Sequence, residues 1–269
     1  MKLTFLGSGA AEGMPAIFCN CEVCRESRRL GGKNLRTRSQ SIINDDLLID
    51  FPADTYSHFQ RFGIEGDKIK YLIITHPHQD HFYPNDLLMR TERLAHDRRV
   101  PVLKILCSAA ASKKFKEDTP NVDISVISAY ETVELGEYRI TALPARHMNP
   151  GEALIYIIEG EKTVLYAHDT GYPYEEVFEY IEKRGIKFDM VTLDCTYGDV
   201  PTGDEIGHMA FENVGRVVKR LKAMGAISDS TPAYINHFSH NGTPIHHVME
   251  ESAAKIGCAP SYDGCEVVF

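Results

Sequence analysis

Within six consecutive positions the chain sets His76, Pro77, His78, Gln79, Asp80 and His81, directly after the apolar run Tyr71, Leu72, Ile73, Ile74 and Thr75. The run reads as a buried strand, so four metal-capable side chains leave its end together. Three imidazoles and a carboxylate this close are poor core residues, because buried His and Asp need partners and like charges repel. A divalent cation removes the difficulty, and the whole His-x-His-x-Asp-His string is far more specific for one than a lone His-x-His. Further candidates stand beyond other strand-like runs: His147 after 140–143, Asp169 after 163–167 and His237 after 234–236. Two metals about 3.5–4 Å apart need more ligands than the first motif supplies, ideally with a carboxylate that bridges them. Four strand ends each carrying a ligand are what convergence at one edge of a sheet scaffold would produce.

A second cluster is softer. Cys19, Cys21 and Cys24 form Cys-x-Cys-x-x-Cys, three thiol ligands whose spacing lets a loop wrap one tetrahedral Zn²⁺. The fourth ligand is missing locally; His240, three residues after His237, could close a structural Cys₃His site from the far end of the chain. Redox chemistry or chance clustering is the competing reading. Seven cysteines, an odd number, with three so crowded, point to reduced thiols rather than a disulfide framework; Cys107, Cys195, Cys258 and Cys265 read as small buried hydrophobes.

The elements that must position these groups are short and numerous. Strand-like segments fall at 3–6, 41–43, 47–50, 71–75, 102–107, 140–143, 154–158, 163–167, 190–193, 234–236 and 266–269, with hairpin turns at 44–46 and 159–161. Val214, Val217, Val218 and Leu221 make one apolar stripe on a predicted helix over 211–224. Further helices are expected at 85–99, 175–183 and 245–254, the last with Thr243 as N-cap and Pro244 at its first position. No linker or low-complexity tract interrupts the pattern, so one domain over 1–269 is expected. Helices covering two packed sheets or a doubly wound sheet would both satisfy it.

Of 269 residues, 43% are apolar and 25% charged, as in an ordinary globular protein. A net charge of −9 disfavours extended nucleic acid as a partner; a small phosphorylated substrate is compatible, since two cations dominate the potential inside a pocket. Neither an export signal nor a membrane-length apolar run is present, so a cytoplasmic protein without a membrane partner is expected. A homodimer is allowed, and nothing in the pattern selects it.

In the order of these signatures the chain resembles the metallo-β-lactamase superfamily: His-x-His-x-Asp-His, a distant His, an Asp before Thr170 and Gly171, and a late His. The resemblance implies an α+β fold, a four-layer αβ/βα sandwich with a dinuclear site at its edge. Carried over by position, one metal would take His76, His78, His147 and Asp169, and the other Asp80, His81, His237 and the bridging Asp169. Antibiotic-hydrolysing members typically carry Cys where this chain has Asp169, so β-lactam hydrolysis is not expected. With Leu6 to Gly9 and the cysteine triplet, the chain is similar to the PhnP-like cyclic phosphodiesterase subgroup, although PqqB-like proteins share the triplet. Asp194 and Cys195 followed by His208 resemble the segment that supplies a catalytic histidine. The expected chemistry is hydrolysis of a small cyclic sugar phosphate, such as ribosyl 1,2-cyclic phosphate, by hydroxide held at two divalent metals, Mn or Zn. Asp80 and Asp169 would organise the centre, His208 would serve as proton donor, and one structural Zn would sit on Cys19, Cys21, Cys24 and His240. A PqqB-like binding or non-hydrolytic role, transfer-RNA processing and thiol-ester hydrolysis are the alternatives. His58, His96, His168, His246 and His247 are expected at the surface or behind the ligands, and Tyr83 and Tyr197 in the core or at the pocket rim. Ser8 and Gly9 could offer backbone amides to a phosphate or simply make a tight turn.

Overall fold

A computed structural model describes residues 1–96, 100–149 and 151–269. One mixed sheet contains β1 (Lys2–Gly7), β2 (Gln40–Ile43), β3 (Leu47–Ile49), β4 (Tyr71–Ile73), β5 (Leu103–Cys107) and β6 (Val122–Val126). The other contains β7 (Thr132–Leu135), β8 (Tyr138–Pro144), β9 (Leu154–Glu159), β10 (Thr163–Ala167), β11 (Met190–Asp194), β12 (Ala233–Asn236) and β13 (Ala259–Pro260), and β14 (Cys265–Val268) returns to the first. Strand orders are β14-β1-β2-β3-β4-β5-β6 and β13-β12-β11-β10-β9-β8-β7. Antiparallel hairpins form where the turns at 44–46 and 159–161 were expected, while β3 to β6 and β10 to β13 run parallel.

The sheets pack face to face because their inner faces are apolar at alternate positions. Leu3, Phe5, Ile49, Ile73 and Leu106 meet Ile140, Tyr156, Ile158, Tyr166 and Met190, all buried. Each such side chain contributes about 1.5–3 kcal/mol by leaving water. The tyrosines bring hydroxyls into this layer, and these are partnered: Tyr156 donates to the Ile74 carbonyl at 2.7 Å and Tyr138 to Asp46 at 2.8 Å.

Helices cover both outer faces. The chain forms α1 (Glu22–Leu30), α2 (Thr55–Phe62), α3 (Ala109–Ser112), α4 (Glu175–Arg184), α5 (Phe211–Ala223) and α6 (His246–Lys255). Val177 and Phe178 of α4, the Val214–Leu221 stripe of α5 and Met249 of α6 cover the outer face of the second sheet. Phe59 and Phe62 of α2 and Ala111 of α3 cover Leu48, Leu72 and Ile105 of the first. The layers are therefore helix, sheet, sheet, helix: the α+β four-layer sandwich that the resemblance implied.

Several local expectations change. The stretch at 85–99 forms a 3₁₀ helix over Pro84–Arg90 instead of a long α-helix; of its apolar residues only Leu87 is buried, and Thr91 turns extended. The end of that expectation, residues 97–99, lies outside the described residues. α6 begins at His246 with Ile245 as its N-cap, because the Thr243 hydroxyl donates to the Ser239 carbonyl at 2.6 Å and is not free to cap. β6, β7, β13 and helices α1 to α3 gave no expectation; α1 has few apolar residues, and Cys24 is buried in its first turn.

Candidate metal centre

The groups that build the centre gather at the C-terminal ends of strands. Asp50 follows β3, His76 follows β4, His147 follows β8, Asp169 follows β10, Asp194 ends β11 and His237 follows β12. The sandwich brings these ends from both sheets to one edge. His76, His78 and His147 offer ligand atoms within 4.8 Å of one another, and so do Asp80, His81, Asp169 and His237. Asp50 and His237 both hold left-handed backbone, at φ 66 each. Such conformations in non-glycine residues cost about 1–3 kcal/mol and cluster where side-chain aim matters. Gly171 is required beside the bridge candidate, since a Cβ there would stand 1.9 Å from the Ile206 carbonyl oxygen.

The hydrogen bonds behind the histidines decide which nitrogen faces inward. His147 donates from Nδ1 to the Gly207 carbonyl at 3.0 Å, and His81 Nδ1 donates to Asp50 at 2.7 Å. Thr75 gives its hydroxyl proton to Asp50, so it accepts from His76 Nδ1 at 3.0 Å; Thr196 gives its proton to Asp194 and accepts from His237 Nδ1 at 2.8 Å. In their neutral forms these four rings therefore turn unprotonated Nε2 lone pairs toward one another. His76 Nε2 and His147 Nε2 stand 3.0 and 3.1 Å from His78 Nδ1, and His81 Nε2 stands 3.2 Å from His237 Nε2. Ligands at right angles on bonds of about 2.1 Å are about 3.0 Å apart, and tetrahedral ones about 3.4 Å, so these are the edges of coordination polyhedra.

Asp169 sits between the two groups. One carboxylate oxygen is 3.1 Å from His81 Nε2 and 3.7 Å from His76 Nε2; the other is 3.3 Å from His237 Nε2, yet is buried without a hydrogen-bond partner. An orphaned, buried carboxylate oxygen aimed into converging lone pairs fits a cation. The electrostatics agree. Burial pushes His76 and His147 below the ordinary imidazole range, whereas at His81 burial is outweighed by Asp169, Asp80 and Asp50, which hold its charged form far above that range. Burial of Asp80 and Asp169 is likewise outweighed by neighbouring imidazoles, which keep both ionised. The site thus concentrates enough negative potential to retain positive charge.

His208 stands beside this group. It hydrogen-bonds through Nδ1 to Asp194 at 2.7 Å and its ring stacks on His237 at 5.3 Å and 15°. Burial alone would lower its basicity; the Asp194 carboxylate outweighs this and raises it to about 9. Asp194 also accepts from the Met209 amide and from Thr196, a buried anchor that fixes the ring.

Cys19, Cys21, Cys24 and His240 also meet within 4.8 Å. His240 Nδ1 is 3.6 Å from Cys19 Sγ and 3.5 Å from Cys21 Sγ, the edge of about 3.5 Å that a tetrahedron with Zn–S of about 2.3 Å and Zn–N of about 2.0 Å has. The amides of Cys21, Cys24 and Ala16 donate to Cys19, Cys21 and Cys24 sulfurs, which suits thiolates. The donor set fits a structural zinc.

Sequence reasoning missed Asp50, and it named Asp194 only as part of the segment that leads to His208, not as a partner of that ring. Asp50 and Asp194 each hold a histidine from behind; the available signal was an Asp closing an apolar strand run. Other expectations need correction. Ser8 and Gly9 do not offer free amides: Ser8 donates to Asp263 at 3.0 Å and Gly9 to the Thr37 carbonyl at 2.7 Å. His58 and His246 are neither at the surface nor behind the candidate ligands but buried elsewhere, His58 between Thr37 and Gln40 and His246 against Arg36, whereas His168 lies on Thr192 and Asn236 behind the centre, as expected. Tyr197, half-buried with its ring 6.1 Å from His208, is at the rim. A cavity of about 570 Å³ beneath α2, lined by Leu48, Phe51, Phe59, Leu87 and Leu103 among others, contains none of the ligands.

Residues 47–228 match the family model of a beta-lactamase superfamily domain. Among solved structures, a diphosphatase from the PhnP family is 22% identical with a TM-score of 0.75, over 100% of this chain and 97% of that one. Zn²⁺-bound PqqB from Methylobacterium extorquens is 18% identical with a TM-score of 0.76, covering 100% of both chains. The short form of human tRNase Z is 16% identical with a TM-score of 0.62, over 100% of this chain and 99% of that one. A curated octanoyltransferase of Porphyromonas gingivalis is 35% identical over 85 residues; the match spans 30% of this chain and only 16% of that protein's length. Among the described residues no helix is long and apolar enough to cross a membrane.

Proposed function

The chain belongs to the β-lactamase superfamily, in its metallo-hydrolase fold, and on that premise we propose that it is a dinuclear metal-dependent phosphodiesterase acting on a small cyclic sugar phosphate such as ribosyl 1,2-cyclic phosphate. The observation that carries this reading is the carboxylate of Asp169, its orphaned oxygen set between two groups of inward-facing nitrogens. His76, His78, His147 and Asp169 would hold one ion, and Asp80, His81, His237 and Asp169 the other. Two divalent cations at such a centre supply charge neutralisation for phosphoryl oxygens and lower the pKa of water enough to make a nucleophile at neutral pH. Oxygen and nitrogen donors suit Mn²⁺ as well as Zn²⁺.

The chain's own residues supply the proton chemistry. His208, kept cationic by Asp194, holds a proton on Nε2 at the edge of the centre, where it can pass to the departing alkoxide. Asp194 fixes both the ring and its charge. A net charge of −9 supports a small substrate over a long polyanion, which would have to approach against the field. The PhnP-family neighbour is a diphosphatase, which favours phosphoanhydride cleavage as the second reading.

Turnover of ribosyl 1,2-cyclic phosphate, a 2′,3′-cyclic nucleotide and a diphosphate ester by Mn²⁺-loaded protein tests the proposal. The cyclic sugar phosphate should be preferred, and His208→Ala should cut kcat roughly 10²–10⁴-fold without changing metal content. Preference for the diphosphate selects the second reading; hydrolysis of none of them, with the centre loaded, defeats both.

A further inference from the structure

β6 is an edge strand with nothing on its outer side among the described residues, and its sequence is Val122-Asp123-Ile124-Ser125-Val126. Natural edges are blunted by charged side chains, proline or a bulge. Inside this strand the only charge is Asp123, on the face opposite Ile124, and the strand pairs with β5 in uninterrupted parallel register without proline or bulge. Two of its three apolar side chains are uncovered: Ile124 is 36% and Val126 50% exposed. Both lie on the helix-bearing face, in register with buried Ile105 and Cys107.

The backbone direction follows from two bonds. The Asn121 carbonyl accepts from Leu103, and the Ile127 amide donates to Cys107, so both odd-numbered residues turn their polar groups toward β5. Within a strand the direction alternates, and Val122, Ile124 and Val126 therefore present N–H and C=O to the open edge. Two of these three, Ile124 and Val126, carry exposed apolar side chains, and Val122 is half-buried against the core beside it.

We propose that this edge pairs with β6 of a second copy of the chain, antiparallel, with the two-fold axis at Ile124. In that register Ile124 faces Ile124, Val122 faces Val126 and Val126 faces Val122. All three are narrow, hydrogen-bonded pairs, so all six outward polar groups find partners. The pattern is self-complementary on the other face too: Asp123 faces Ser125, the two Asp123 carboxylates stay at the diagonal spacing of about 7–8 Å, and Lys104 lies beside each in the β5 register. Moving the axis to Val122 would place Pro120, which has no N–H, opposite Ile124. Moving it to Val126 would require pairing beyond Ile127, where the strand has ended. A five-residue strand gives a small interface, so the dimer is concentration-dependent.

Sedimentation of the full, metal-loaded chain up to about 100 µM tests this, in the range where small interfaces assemble. The wild type should approach twice the monomer mass, while Ile124→Lys and Val126→Lys, both at exposed positions, should sediment as monomers with unchanged metal content and turnover. A wild type that stays monomeric overturns the proposal. So does a dimer that survives both substitutions.

Discussion

At the scale of single residues, the centre depends on what stands behind each ligand as much as on the ligands themselves. His81 is aimed by Asp50, His76 by Thr75, His237 by Thr196 and His147 by the Gly207 carbonyl. Such outer partners orient the ring and tune its basicity. His208 has the same device with a different consequence, because Asp194 raises it from an ordinary 6.5 to about 9. A histidine whose folded pKa is raised contributes stability that is fully present below pH 6.5 and lost as pH climbs through about 9. As a proton donor it is competent on the same acid side. Asp194→Asn should therefore move the alkaline limb of the kcat profile to lower pH by at least about one unit. A limb that stays in place would assign it to another group. The candidate ligands were legible in the sequence because His-x-His-x-Asp-His has no comfortable apolar explanation. Asp50 was not, and the role of Asp194 was not, since one Asp at a strand end looks the same whether it caps a turn or holds a histidine.

At the scale of elements, the eleven anticipated strand segments form, because short apolar runs bounded by Gly, Asn and Asp admit little else. Among the elements that escaped detection was α1, whose polar sequence would not hold a helix in isolation. Cys21 caps its N-terminus by accepting from the Cys24 amide, and Cys24 is buried in its first turn, so the start of the helix is built around the thiol cluster. His240 reaches that cluster from the loop that also carries His237. Glu12 ties the same region together through Ser239, which donates to it at 2.5 Å. A zinc here would staple α1 to the metal-bearing loop. Cys24→Ala should then lose one zinc per chain and lower Tm. A loss of ~2 kcal/mol corresponds to roughly 4–8 °C for a protein near this size, readable by calorimetry. An unchanged zinc content would show that the cluster is an ordinary thiol group.

At the scale of the whole molecule, two sheets and two helical layers exist to bring strand ends together. Parallel stretches, β3 to β4 in one sheet and β10 to β12 in the other, send their C-terminal ends to a common edge. Ligands far apart in sequence, such as His76 and His237, meet there. Periodicity could not choose this sandwich over a doubly wound sheet, since both alternate strands and helices; the order of motifs made the choice. The central claim is that this edge holds two ions and the cysteine cluster a third. Metal counted per chain by elemental analysis, on protein loaded with Zn²⁺ and freed of excess, tests it most directly. Three ions are predicted for the wild type, with Asp169→Ala losing at least one of the pair and keeping the cysteine-bound ion. One ion or none in the wild type, or an Asp169→Ala variant that still holds three, would contradict it.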